Sequence, residues 1–66
     1  MKISKGLLDY LATANCDFPR LSFEEGEDVF VLKHGFTTLS VCDYGEVGEK
    51  NMLAFIKGMI NGKMYS

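Results

Sequence analysis

Apolar residues recur every three to four positions from Ile3 to Ala14, every second position from Arg20 to Tyr44, and every three to four again from Met52 to Ile60. Two changes of period within 66 residues leave room for one helix, a run of short strands and a second helix. In the first segment Ile3, Leu7, Leu8, Tyr10, Leu11 and Ala14 share one side of a helical wheel, opposite Lys2, Lys5, Asp9 and Thr13, the pattern of an amphipathic helix. Ser4 is placed to cap it, Lys5 and Asp9 lie one turn apart, and Asn15 followed by Pro19 supplies the stop.

The middle segment is rich in Phe, Val, Leu and Thr and is punctuated by Gly26 and Gly35, which predicts three strands joined by tight turns. With Glu25-Gly26 and His34-Gly35 as two-residue turns, Leu21 faces Phe30, Phe23 faces Asp28, Phe30 faces Leu39 and Leu32 faces Thr37. This register sends Leu21, Phe23, Phe30, Leu32, Leu39 and Val41 to the core face. It sends Ser22, Glu24, Val29, Val31, Lys33, Phe36, Thr38, Ser40, Cys42 and Tyr44 to the outer one. In the last segment Met52, Leu53, Phe55, Ile56, Met59 and Ile60 oppose Lys50, Lys57 and Asn61. Gly48 is the expected cap of this second helix, with Val47 and Met52 as a hydrophobic staple, Glu49 at the positive end of the dipole, and Asn61-Gly62 as the end. The expected fold is therefore α+β, in the order α-β-β-β-α. It is a three-stranded antiparallel sheet with two helices packed on one face, and residues 1–66 form a single domain.

A chain this short buries only about 60% of the surface its unfolded form exposes, which leaves almost no space for a deep substrate cavity. No motif names a reaction, and the expectation is a non-enzymatic protein without cofactor or metal. His34 falls at a predicted hairpin tip with no nucleophile near it in sequence. Cys42 is followed by Asp43, whose charge opposes thiolate formation. Gly45 and Gly48 precede a helix but lack the Lys and Ser/Thr that end a phosphate loop. Two cysteines, Cys16 and Cys42, are too few for a disulfide framework, and one His adds too few ligands for a structural zinc site. No apolar run is long enough to span a membrane, and Met1-Lys2-Ile3-Ser4-Lys5-Gly6 lacks the apolar stretch of a secretory signal, so the expected location is cytoplasmic.

Charge is distributed unevenly. Residues 17–49 carry eight carboxylates against Arg20 and Lys33, a net of −6, while the remainder carries +4. Glu24, Glu25, Glu27 and Asp28 crowd one predicted hairpin, where their repulsion opposes folding unless water or a cationic partner relieves it. Carboxylates two apart on a strand lie about 6.6 Å apart, close to the separation of successive phosphates on a nucleic-acid strand. Two readings follow: a solvated turn that discourages edge pairing, or a surface presented to a basic groove. A separate candidate is the outer face, where Val29, Val31, Phe36 and Tyr44 meet water unless the loop and termini, Tyr65 included, or a second copy cover them.

Topology and length from Gly6 to Gly62 resemble a double-stranded RNA-binding domain. Members of that family read RNA through a Lys-rich start to the second helix. Here that stretch is Glu46-Val47-Gly48-Glu49-Lys50-Asn51-Met52, and only Lys50 matches. With Glu46 and Glu49 where phosphates would dock, the resemblance implies shared architecture without direct nucleic-acid binding. In size, topology and charge the chain also resembles the small inhibitors encoded by phages and mobile elements, anti-CRISPR proteins among them. That resemblance implies a DNA mimic that blocks the DNA-binding surface of a basic effector. Glu24, Glu25, Glu27, Asp28, Asp43, Glu46 and Glu49 would be its partner-binding residues, on a monomer or a homodimer. The alternative expectation is a small homodimeric structural or adaptor domain that associates through the outer sheet face.

Overall fold

A computed structural model describes residues 2–62. The chain runs α1 (Lys5–Ala14), β1 (Leu21–Glu25), β2 (Val29–His34), β3 (Thr37–Asp43) and α2 (Glu46–Gly62), with the strands antiparallel in the order β1-β2-β3. This is the expected α+β arrangement with an open three-stranded sheet. Residues 63–66, and with them any cover by Tyr65, lie outside the described residues.

Ser4 caps α1, its hydroxyl accepting from the Leu7 amide at 3.4 Å. The helix begins at Lys5, directly after this expected cap, and Ile3 enters the core from the bend ahead of it. At the far end Asn15 closes the helix with its backbone and donates its side-chain amide to the carbonyls of Phe18 and Leu21, both at 2.9 Å. One amide thus ties the end of α1 to the start of β1 and satisfies two carbonyls of the connecting loop.

Both hairpin registers differ from the expected ones, with unequal consequences. In the first, Leu21 pairs with His34, Phe23 with Leu32 and Glu25 with Phe30. The Gly26 amide donates to the Val29 carbonyl at 2.8 Å, so the turn is Glu27-Asp28 rather than Glu25-Gly26. The slip is an even number of residues, and an even slip leaves every side chain on its expected face. In the second hairpin Phe30 pairs with Cys42 instead of Leu39, Leu32 with Ser40 instead of Thr37, and Val31 with Val41, while His34 pairs with Thr37. An irregularity between Leu32 and Lys33 leaves Leu39 as an extra residue in β3, a bulge that shifts the ladder by one. From Ser40 onward β3 is inverted relative to the sequence expectation. Ser40, Cys42 and Tyr44 turn toward the helices, and Val41 stands on the outer face, 56% exposed. Leu39, carried by the bulge, still packs on the edge of the core.

The core is one cluster. Leu21, Phe30 and Leu32 from the sheet meet Leu7 and Ala14 of α1 and Met52, Ile56 and Met59 of α2, closed at the ends by Ile3 and Phe18. Phe30 is completely buried, with Phe23 edge-on at 5.6 Å and Tyr44 stacked at 5.4 Å between ring centres. Helix α2 starts at Glu46, two residues before the expected cap. Gly45 turns the chain with φ +109°, and its carbonyl accepts from the Glu49 amide at 3.0 Å. Gly48 is therefore inside the helix rather than capping it, and no staple forms, since Val47 points to solvent at 75% exposure. A Cβ on Gly48 would lie 1.7 Å from the Asp43 carbonyl oxygen, so the first turn of α2 rests directly on the backbone at the end of β3.

Candidate partner-binding surface

The pairing of Val29 with Asp43 brings the Glu27-Asp28 turn to the same end of the sheet as the junction between β3 and α2. Glu25, Glu27, Asp28, Asp43 and Glu46 are all exposed there. Residues far apart in sequence thus form one acidic end. Among the described residues no three His, Cys, Asp or Glu side chains are arranged to hold a metal ion.

Two of the seven predicted residues stand apart from this end. Glu24 projects from the outer face, where the half-buried Lys33 approaches its exposed carboxylate at 3.8 Å, a surface pair contributing about 0–1 kcal/mol. Glu49 is half-buried, and its carboxylate accepts from both the amide, at 2.8 Å, and the hydroxyl of Ser4. The same Ser4 hydroxyl caps α1. A capping box normally draws its acid from its own helix; here the first turn of α2 supplies it to α1, so Glu49 joins the helices.

Two residues absent from the predicted set brace the acidic turn. The Lys2 amine donates to the Glu27 carbonyl at 2.7 Å and lies 4.9 Å from the centre of the Tyr44 ring. It places a cation among the carboxylates whose repulsion opposes the turn. The Tyr44 hydroxyl donates to the Gly26 carbonyl at 2.7 Å. Desolvation, with the charge of Glu25 acting in the same direction, raises the Tyr44 pKa above its ordinary value. Sequence could have found Tyr44 only with the correct face for β3, because the expected face turned it outward. Lys2 carries no local signal for a partner 25 residues away.

Beside the acidic end, Val29, Val41 and Val47 line an open groove of about 470 Å³ together with Asp43, Glu46 and Asn51. At the other end of the sheet Arg20, His34, Phe36 and Thr37 surround the turn between β2 and β3. Phe36 at that tip is 100% exposed, and with Tyr44 turned inward the expected outer patch shrinks to Val29, Val31 and Val41. Cys16 and Cys42 are both free thiols. No described helix is long and apolar enough to cross a membrane. Compared with known proteins, the chain matches no family model, no curated protein and no solved structure.

Proposed function

We propose that this chain is a non-enzymatic binding protein whose acidic sheet end occupies a cationic, nucleic-acid-binding site on a partner protein, the DNA mimicry expected of an inhibitor of the anti-CRISPR type. The observation that supports this reading is the gathering of Glu25, Glu27, Asp28, Asp43 and Glu46 at one exposed end, beside a turn whose backbone is bonded by Lys2 and Tyr44. With the turn backbone already tied at two carbonyls, less ordering entropy is lost on binding. The partner is a basic protein, and the chain itself binds no duplex, since it lacks the cationic surface that supplies non-specific affinity.

The homodimer alternative draws less support. Three strands spaced about 4.8 Å apart and about 20 Å long offer roughly 300 Å² of outer face, against about 800 Å² per partner in a stable interface.

The test reverses Glu25, Glu27 and Asp28 to Lys, leaving Glu24 and Glu49 in their structural pairs. The variant should melt at or slightly above the parent temperature while losing its partner in capture from a lysate. The captured protein should bind duplex DNA, and duplex DNA should displace it from the parent. Adding salt should slow association, as expected for steering charges. A reversed variant that holds the same partner with unchanged affinity, or a partner indifferent to DNA, would overturn the proposal.

A further inference from the structure

Phe36 has no use within its own molecule. Gly35 takes φ +65° and provides the left-handed residue that a two-residue hairpin turn requires, so the second turn position asks only for something small and polar. A phenyl ring that buries about 150–250 Å² when covered stands instead fully in water. At the other end of the sheet the groove between Val29, Val41 and Val47 is open and apolar, with Asp43 and Glu46 on its rim. Arg20 flanks Phe36. Knob and groove are therefore complementary in polarity, apolar ring to apolar valines, and in charge, Arg20 to Asp43 and Glu46. Phe36 cannot fill its own groove, because the seven residues of β3 put about 20 Å between the two ends.

We infer that the chain associates head to tail with further copies of itself, Phe36 of one copy seated between Val29, Val41 and Val47 of the next and Arg20 of the first against Asp43 and Glu46 of the second. A contact of this kind uses two different patches, so it adds copies in a row rather than closing a pair. The interface is small, and the affinity is correspondingly low. The acidic rim is shared with the proposed partner surface, which makes self-association and partner binding compete. The inference does not rest on that reading, and its variants leave the turn carboxylates intact, so either can fail alone.

The experiment is sedimentation equilibrium of the parent, of Phe36→Ser and of Val41→Arg, each separately and the two variants mixed, up to about 1 mM, the range in which weak contacts are populated. Both substitutions fall on exposed positions, and circular dichroism confirms that each variant is folded. The parent mass should rise with concentration past that of a dimer and fall back on adding salt. Phe36→Ser lacks the knob and Val41→Arg blocks the groove with a charge facing Arg20, so each alone should weaken association at least tenfold. Mixed, they should give a complex of two, since one still offers a groove and the other a knob. A parent mass that stays at one chain, a variant that associates like the parent, or a mixture that forms no pair would each overturn the inference.

Discussion

Replacing Gly48 by Ala reverses the usual effect of that substitution in a helix. In an open helix interior the change gains about 0.5–1 kcal/mol, because Ala loses less backbone freedom on folding. Gly58, in the same helix and with nothing within 4 Å of a Cβ, should show that gain. At Gly48 the added methyl would stand 1.7 Å from the Asp43 carbonyl oxygen, 2.7 Å from its carbon and 3.1 Å from the Asp43 nitrogen. These are backbone atoms at the end of β3, held by the pairing of Asp43 with Val29, so no side chain can swing aside. Relief requires α2 to lift off the sheet, which loosens Met52 and Ile56 from the core. Overpacking costs about 1–3 kcal/mol where the surroundings can adjust, and the upper end or beyond applies here. A domain of this length has about 3–10 kcal/mol in total, so Gly48→Ala should lose much of it. Urea unfolding followed by circular dichroism reads both variants: the midpoint should fall for Gly48→Ala and rise for Gly58→Ala at similar slope. Equal or greater stability of Gly48→Ala would refute the close seating of α2 on β3.

Three further outcomes are expected. Ser4→Ala removes a cap and an interhelical bond together and should cost about 0.5–2 kcal/mol, while Glu49→Gln should cost less in a Ser4→Ala background than in the parent; additive losses in the double-mutant cycle would deny the coupling. Phe30→Ala should cost about 3–5 kcal/mol, read as loss of the cooperative thermal transition, and a variant that melts like the parent would remove Phe30 from the core. Because the folded chain keeps the Tyr44 phenol protonated beyond its ordinary pKa of 10.0, stability from this group is fully present below about pH 10 and declines as pH rises through the folded titration; Tyr44→Phe should lack that part of the alkaline loss, and matching pH profiles would refute the assignment.

The element order was readable because helical and strand periods are visible in single segments of chain. Register was harder. Gly26 invites placement at the centre of a turn, yet it pairs with Val29 and leaves the centre to Glu27-Asp28; the error is even, and the faces of β1 and β2 survive it. The alternation of Leu39 and Val41 reads as a core-facing pair, whereas the extra residue at Leu39 cancels that inference. A bulge is fixed by how the strand meets its neighbours, and Thr37-Thr38-Leu39-Ser40 carries no mark of it. The acidic surface was legible in composition. What separates Glu24 and Glu49 from it was not, because Lys33 and Ser4 reach them through the folded sheet and helices, over 9 and 45 positions.

The bond between Ser4 and Glu49 spans 45 positions, and this has a consequence for the order of events during synthesis. The two hairpins close over short loops and can form as soon as their strands exist. Helix α1 is made before the strands, yet the acid that completes its cap appears only after them, and a lone helix of 10 residues is marginal in water. A segment made before the sheet thus settles after it. Lys2, on the same segment, reaches the acidic turn only then, so a growing chain lacks this cation beside its carboxylates until the segment ahead of α1 folds back over the sheet.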